Sequence, residues 1–224
     1  PWHLEALAAA CRRRGVDLRI NTPVAELLRE KRRVTGARAA SGEAFFAEKT
    51  LITAGLWSSE ILEHLGAGLA MRASRGQILL FRAGRPPLAR VVRSGAGFLV
   101  AREDGRVLAG DSQETAGAEK EATSAEIARL RALAIRLCPA LEGARIERAW
   151  AGARPATPDG KPYIGELPGF ENLYAATGHF RTGVTLAPAT AQVIRELFAG
   201  EPLSVSLEEF HPNRTVRDTL PDTI

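Results

Sequence analysis

The sequence predicts an α+β fold in which short strands form a mostly antiparallel sheet beside a layered sheet flanked by helices. Three observations predict it. Short apolar segments alternate with turns rich in Gly and Pro between residues 77 and 110, and apolar residues recur at helical spacing in four other segments. Near the C-terminus, an apolar strand leads through glycines into a long helix.

The first predicted element is a helix over residues 2–14. Apolar residues recur there at helical spacing from Leu4 to Cys11, and Gly15 follows where a left-handed cap belongs. A short strand is expected over 16–20. Three segments with tight polar turns between them then predict an antiparallel meander: 24–30, 34–40 and 44–47.

The mainly apolar segment 50–54 predicts a strand buried on both faces of a layered sheet, and residues 57–65 return to helical spacing. Ser124, with Thr123, can cap a helix over 125–137. Four strands joined by turns that contain Gly or Pro are predicted between these helices: 77–82, 88–93, 98–102 and 107–110. Later elements are expected in this order: a strand over 145–153, a turn-rich stretch over 154–160, an apolar strand over 173–176, a helix ending near residue 200, and a tail with a further strand over 204–210 and a loose polar end.

Composition excludes several classes of protein. The 224 residues are 45% hydrophobic and 25% charged, which is ordinary for a soluble protein, and no apolar run is long enough to span a bilayer. The net charge of +4 comes from basic residues mixed with acidic ones, unlike the basic face of a nucleic-acid binder. The two cysteines, Cys11 and Cys138, lie far apart, so neither a disulfide framework nor a zinc site is predicted and a cytoplasmic location is expected.

The predicted C-terminal strand and helix are joined by the segment 177–183, whose sequence is TGHFRTG. A strand that leads through such a loop into a helix presents free backbone N–H groups and the positive helix end at one point, which suits an anionic atom. An ordinary strand-turn-helix has the same pattern, and both interpretations stay open. Pro188 is expected either to distort the first turns of the helix or to place its start near Leu186 or Ala187.

Arg154 follows an apolar-rich strand and precedes Pro155, which favours an extended conformation for the arginine. A guanidinium held at a strand end can bind a carboxylate through two hydrogen bonds. A structural ion pair would use the same geometry, and spacing alone favours that second interpretation. The pair Asp159-Gly160 indicates a turn.

Two long motifs carry a resemblance to a known family. They are AGARPATPDGKPYIG at 151–165 and GHFRTGVTLAPAT at 178–190. With the shorter motifs TAGLWS at 53–58 and RGQ at 75–77, they have the order and separation found in glycine oxidases. The chain therefore resembles the D-amino-acid oxidase family of FAD enzymes over nearly its whole length, up to about His211.

The resemblance implies the C-terminal part of an FAD-binding Rossmann-like domain joined to a substrate domain with an antiparallel sheet. It also implies hydride removal from the amine-bearing carbon of a small amino acid or secondary amine, with electrons passing from FAD to oxygen. Arg154 matches the clamp for the substrate carboxylate. The positions matched to the cofactor are Val24, Ala54, Gly55, Trp57, Gly76, Gly178, His179, Phe180, Arg181, Thr182, Gly183, Val184 and Thr185.

Three features depart from the family pattern. The Gly-rich phosphate loop that opens a dinucleotide-binding fold is missing, so this chain by itself is expected to bind FAD poorly. Phe98 stands where many members have a tyrosine that helps to bind the substrate carboxylate. Gly152 stands where related sarcosine oxidases have the cysteine that attaches flavin covalently, so FAD is expected to be noncovalent.

Two residues of the loop have open roles. His179 is a candidate base, although a single histidine on a Gly-rich loop more commonly packs beside the ring or forms a local hydrogen bond. Arg181 belongs either at the mouth of the substrate pocket or in a structural pair. No catalytic side chain and no metal site are predicted, because the hydride step depends on the cofactor and on the position of the substrate.

The predicted organisation has three parts: 1–67 in the FAD domain, 68–169 as the substrate domain, and 170–224 as a strand and helix that return to the FAD domain, followed by a tail. The expected partners are a small amine or amino acid and either the missing N-terminal half or a second copy of the chain, with no nucleic acid and no membrane span. Two other functions stay open: a dehydrogenase that reduces a quinone or a protein, and a noncatalytic binding module without flavin.

Overall fold

The computed structural model describes residues 2–84, 87–95, 97–110, 114–115 and 121–219, with the backbone alone for 114–115. In these ranges the helices are α1 (Trp2–Arg13), α2 (Ser58–Glu63), α3 (Ser124–Leu137) and α4 (Gly183–Ala199). The strands up to residue 110 are β1 (Val24–Glu30), β2 (Arg33–Ala39), β3 (Ala44–Phe46), β4 (Thr50–Ile52), β5 (Arg72–Arg82), β6 (Val92–Ser94), β7 (Gly97–Ala101) and β8 (Arg106–Gly110). The later strands are β9 (Glu114–Thr115), β10 (Arg145–Ala156), β11 (Tyr163–Glu166) and β12 (Leu173–Thr177). This mixture of helices and largely antiparallel sheets confirms the predicted α+β class.

Strands β1, β2 and β3 form an antiparallel sheet in that order, which confirms the predicted meander. Leu27 and Val34 are buried in one cluster with Leu62 of α2. The helix expected over 2–14 is also present, as α1. The strand expected over 16–20 is wrong: the segment is exposed and pairs with no strand of the described residues, so an extended conformation brings its side chains no burial.

The largest sheet is antiparallel, with the order β10-β5-β8-β7-β6 and with β9 also paired to β5. Helix α3 packs on one face of it, where Leu79, Leu99 and Leu133 belong to a single core. The predicted strands are found as β5 to β8, although the one expected over 88–93 is limited to β6. The helix predicted over 125–137 is present as α3. Thr123 is its N-cap, because the Thr123 side chain accepts a hydrogen bond from the Glu126 amide.

Strand β10 continues beyond its predicted end, so the turn expected over 154–160 is wrong for its first residues. Arg154 pairs with Ser74 in the ladder between β10 and β5. Pro155 lacks an N–H group, but β10 lies at the edge of its sheet, where a proline is tolerated. Arg154 is therefore held by a strand and not by a turn.

The third sheet has the order β11-β12-β4, with β12 antiparallel to β11 and parallel to β4. All five residues of β12 are buried, as expected of the apolar segment 173–176. The strand expected over 50–54 stops at Ile52. It is not buried on both faces as predicted, because β4 lies at the edge of this sheet and only Ile52 is buried.

Helix α4 follows β12 through the loop and ends at Gly200, whose φ of +66° confirms the predicted end. Of the two outcomes predicted for Pro188, a helix start near Leu186 or Ala187 is wrong, because α4 begins at Gly183 and includes Pro188. Pro188 is the sixth residue of α4, so it removes one intrahelical donor, the amide that would bond to the Val184 carbonyl.

The tail beyond α4 has no strand among the described residues, so the strand expected over 204–210 is wrong. Leu207 is nevertheless buried against Val193 and Ile194 of α4, so this segment packs through side chains and not through a ladder. Of the tail end that was expected to be loose and polar, residues 220–224 lie outside the described residues.

Candidate functional site

The loop between β12 and α4 has a backbone that local packing fixes. Gly178 has φ of +79°, and a Cβ atom there would lie 2.6 Å from Cγ2 of Thr157, so only glycine fits. Phe180 also has a positive φ, of 49°, and its amide donates a hydrogen bond of 2.9 Å to the Pro155 carbonyl. A non-glycine residue in this conformation is uncommon and is held by its surroundings. The end of β10 and the segment after it therefore support the loop at two points.

The N-terminus of α4 is open to a ligand. Thr182 is the N-cap, but its side chain makes no capping hydrogen bond, because its hydroxyl donates to the His179 carbonyl at 2.9 Å. The first-turn amides have no partner within the helix. Gly183 has no side chain to cover them, and the Val184 side chain is 82% exposed. This helix end combines free N–H groups, partial positive charge and exposed apolar surface.

A cavity of about 340 Å³ lies beside the loop and the helix end. The described residues that line it are Thr53, Gly55, Pro155, Ala176, Thr177, Gly178, His179, Phe180, Arg181, Gly183 and Val184. The Thr177 hydroxyl donates to the Gly55 carbonyl at 3.1 Å and accepts from Ser58 Oγ at 3.0 Å. These bonds join the turn after β4 to the end of β12, so two separate stretches of sequence form one wall.

His179 is tied to α4 and not to the cavity mouth. Its Nε2 lies 3.0 Å from Oγ1 of Thr190. Burial lowers the pKa of the His179 imidazole below its usual value, because the charged form loses its water. The contact with Thr190 agrees with the second interpretation from the sequence, a local hydrogen bond.

Arg154 lies against Gly76 of the large sheet. A Cβ atom on Gly76 would lie 2.5 Å from both Cζ and Nη1 of Arg154, so the guanidinium occupies the space that a side chain at position 76 would need. Gly152 pairs with Gly76 across β10 and β5, and no atom lies within 4 Å of where its Cβ would be. The absence of a side chain at Gly76 leaves room for the guanidinium, and the absence of one at Gly152 leaves open space on the neighbouring strand.

Phe98 and Arg154 share one face of this sheet. The ladder pairs Phe98 with Gly110, Gly110 with Ile78 and Ile78 with Trp150, and residues directly opposite each other point to the same side. Because side chains alternate along β10, Arg154 lies on that side too. Helix α3 packs on the other face.

Arg154 does not line the cavity at the start of α4, whereas the next residue, Pro155, does. The sequence thus predicts both features, but the structure connects them through the bond from the Phe180 amide to Pro155 and not through a common wall. Arg181 lines the cavity and is exposed.

The other predicted residues are dispersed. Val24 is the first residue of β1 and is partly exposed, and Ala54 and Trp57 lie in the turn around Gly55 without lining the cavity. Thr185 lies in the first turn of α4. Of the residues that do contribute, sequence reasoning missed Pro155, Thr157, Ser58 and Thr177. A buried polar residue beside a glycine of positive φ is a signal visible only after folding.

A second groove, of about 800 Å³, runs along the outer side of α4 and the edge strand β4. Its walls are mostly apolar, and they include Leu51, Ala187, Ile194 and Phe198. The described part of the chain contains no cluster of three or more His, Cys, Asp or Glu side chains arranged to bind a metal. None of its helices has the length and apolar character that crossing a bilayer requires.

The family model DAO, described as FAD dependent oxidoreductase, matches residues 3–197. The chain belongs to this family. It is similar to a glycine oxidase of Pseudomonas putida, with 38% identity over 190 residues that are 84% of this chain and 52% of that protein. It is also similar to hydrogen cyanide synthase subunit HcnC of Pseudomonas protegens, with 30% identity over 96% of this chain and 52% of the relative. Among solved structures, glycine oxidase from Geobacillus kaustophilus superimposes with a TM-score of 0.88 at 27% identity, over 95% of this chain and 57% of the other.

The chain spans about half the length of the curated relatives it matches. Its candidate site fits part of an FAD molecule: the uncapped first turn of α4 offers N–H donors, and Gly55, Gly178 and Gly183 let the backbone come close to a planar group.

Proposed function

We propose that this chain is part of a flavoprotein that oxidises the C–N bond of a small amino acid or secondary amine, and the similarity to a protein named glycine oxidase supports this. The observation that carries the proposal is the position of Arg154. Its guanidinium rests on Gly76, on the same sheet face as Phe98, and the next residue is bonded to the loop that precedes α4. Arg154 is thus adjacent to Pro155, whose carbonyl accepts a hydrogen bond from the loop that leads into the helix end suited to an electron-rich ring.

FAD, held without a covalent bond, would supply the hydride acceptor. The residues proposed to contact it lie in or beside the cavity: the loop 178–183 with Val184 and Thr185, and the turn that contains Ala54, Gly55 and Trp57. The first-turn amides of α4 stabilise negative charge that lies close to their N–H groups. Val24 and Gly76 are retained as proposed cofactor positions from the family motifs.

Arg154 is proposed to bind the substrate carboxylate through both guanidinium nitrogens, which fixes the substrate in one orientation. Phe98 cannot donate a hydrogen bond to that carboxylate, so the arginine carries more of the binding. The open space at Gly152 admits an amine substituent or side chain larger than that of glycine. Arg181, at the rim of the cavity, is proposed to attract the acidic substrate.

A kinetic comparison tests this proposal in the FAD-loaded protein. Arg154→Ala is expected to raise the KM for carboxylate-bearing amines about 10- to 100-fold, as loss of a charge-assisted pair predicts. Arg82→Gln is the control, because Arg82 forms an exposed ion pair with Glu147 at 2.8 Å, away from the site. An unchanged KM in Arg154→Ala would remove Arg154 from the substrate site.

Oxygen is proposed as the electron acceptor, and a quinone or a partner protein is the alternative. The name of the 30% identical relative describes a subunit of hydrogen cyanide synthase, which favours testing the alternative. Oxygen consumption without added dye supports an oxidase, whereas turnover only with an artificial acceptor supports a dehydrogenase. A full-length protein that stays colourless and cannot be reconstituted with FAD would support a binding module instead.

The groove along α4 and β4 is proposed to receive the dinucleotide-binding half that the family resemblance implies. Among the described residues no strand pairs with the outer edge of β4, the groove beside it is apolar, and the relatives are about twice as long as this chain. Co-expression with such a half is expected to give one complex that retains FAD, while self-association of the chain alone would indicate a homo-oligomer.

Both cysteines are free, which supports a reducing, cytoplasmic location.

A further inference from the structure

The tail beyond α4 carries a buried ion pair that the proposed chemistry does not use. Arg214 Nε donates to Oδ2 of Asp159 at 2.8 Å, and its Nη2 donates to Oδ1 at 2.9 Å. The two side chains are 7% and 13% exposed. The Arg214 guanidinium therefore binds both oxygens of the Asp159 carboxylate, and the two residues are 55 positions apart in the sequence.

Arg214 has further acceptors for its remaining N–H groups. They are the carbonyl oxygens of Lys161 (2.7 Å), Phe210 (3.2 Å), Pro162 (3.3 Å) and His211 (3.4 Å). The guanidinium also lies 4.2 Å from the centre of the Tyr163 ring. A buried cation satisfied from so many sides is costly to disturb, because a single substitution leaves several carbonyls and a carboxylate without a partner.

Asp159 passes this restraint to the turn after β10. Its Oδ1 accepts from the Lys161 amide at 3.1 Å and from the Thr157 hydroxyl at 3.0 Å. The Thr157 hydroxyl is also 2.8 Å from the Lys161 carbonyl, and Thr157 is fully buried. The Asp159 carboxylate thus joins Thr157 to Lys161 across the turn, and these bonds fix the orientation of the Thr157 side chain.

Thr157 in turn contacts the loop that precedes α4. Its Cγ2 methyl lies where a side chain on Gly178 would be, and Pro155 in the same segment accepts the hydrogen bond from Phe180. A continuous set of contacts therefore runs from Arg214 through Asp159 and Thr157 to the backbone of Gly178. None of the first three residues lines the cavity.

We infer that Arg214 is a positioning residue: through Asp159 and Thr157 it holds the loop 178–183 in the conformation that contacts FAD. The FAD contact rests on the proposed function, whereas the restraint on the loop rests on the hydrogen bonds alone. The tail is then part of the cofactor site, although its residues lie on the far side of the turn from the cavity.

Hydrogen exchange of the backbone amides, followed by mass spectrometry, tests the restraint without any cofactor. Arg214→Gln removes the fork, and Thr157→Ser keeps the hydroxyl bonds but removes the methyl that touches Gly178. Both variants are expected to speed exchange in residues 178–186 about tenfold or more. Arg82→Gln, which breaks an Arg–carboxylate pair elsewhere, is expected to leave it unchanged.

A titration of each FAD-depleted protein with FAD provides the second measurement. The same two variants are expected to raise the Kd for FAD about tenfold, with Arg214→Lys between them and the wild type because lysine keeps the charge and loses the fork. Unchanged exchange at 178–186 in both variants, with faster exchange confined to 205–219, would show that Arg214 holds only the tail and would overturn the inference. If Arg214→Gln does not fold, exchange in Arg214→Lys, which keeps the charge and loses the fork, decides instead. If the wild type, assayed together with the proposed dinucleotide-binding half, binds no FAD, the proposed function fails, while the exchange data still decide whether Arg214 restrains the loop.

Discussion

The guanidinium of Arg154 occupies the space above Gly76 that any larger residue would fill. The hypothetical Cβ at position 76 comes within 2.5 Å of Cζ and of Nη1, and it also meets Nη2, so the whole guanidinium group lies over Gly76. Gly76 belongs to β5 and Arg154 to β10, so the relationship depends on the pairing of two long antiparallel strands. The guanidinium of Arg154 can therefore take this position only because residue 76 is a glycine.

A methyl group at position 76 is therefore expected to displace Arg154. Gly76→Ala should raise the KM for carboxylate-bearing amines about tenfold or more while the free energy of unfolding changes by no more than about 1–3 kcal/mol. Steady-state kinetics and urea unfolding measure the two quantities. Gly68→Ala is the matched control, because no atom lies within 4 Å of its added Cβ, and an equal KM in both variants would contradict the expectation.

The Gly178 position predicts a steric effect that can be separated from backbone strain. Gly178→Ala introduces a methyl group 2.6 Å from Thr157 Cγ2 at a φ of +79°, whereas Gly169→Ala meets no atom at a similar φ of +86°. Both substitutions carry the strain of a left-handed alanine. Gly178→Ala is expected to cost about 1–3 kcal/mol more in the free energy of unfolding by urea. Equal costs would mean that Thr157 yields freely.

Asp159 predicts an acid-sensitive step in stability. Burial raises the pKa of its carboxyl, but hydrogen bonds from Arg214, the Lys161 amide and Thr157, with the charge of Arg214, outweigh this and lower the pKa from 3.8 to about 2. The folded state therefore favours the ionised form. Its contribution, about 2 kcal/mol, is complete above about pH 4 and is lost as the pH falls towards 2.

Urea unfolding between about pH 5 and about pH 2 measures this step. Asp159→Asn is expected to be less stable than the wild type near pH 5, and the difference should narrow as the pH approaches 2, because protonation removes the same charge from the wild type. Parallel stability curves for the two proteins would show that Asp159 does not carry the pH dependence.

Local sequence signals are sufficient to predict the elements whose ends are set by a few neighbouring residues, such as a glycine. The apolar segment before Gly178 predicts β12, and Gly200 predicts the end of α4, because a buried strand and a left-handed cap each depend on a few neighbouring residues. Local sequence rules fail where a neighbouring strand determines the structure. The segment 16–20 has strand-forming residues but no strand beside it among the described residues, and Pro155 continues a strand because β10 lies at the edge of its sheet.

The candidate site divides in the same way. The loop 178–183 is recognisable from its glycines and from the family motif, which are properties of one short segment. The contact of Arg154 with Gly76 depends on strand register, and the pair formed by Asp159 and Arg214 closes across the whole C-terminal region. No spacing in the sequence encodes either relationship, since both arise from packing between distant segments.

Arg154 is proposed above all to bind a substrate carboxylate beside the flavin, and a spectral titration tests this most directly. In the FAD-loaded protein, a nonreactive carboxylate such as acetate or benzoate is expected to perturb the flavin absorption band as it binds. We predict a Kd about tenfold or more higher in Arg154→Ala than in the wild type and in the Arg82→Gln control. The same Kd in all three proteins would contradict this role for Arg154.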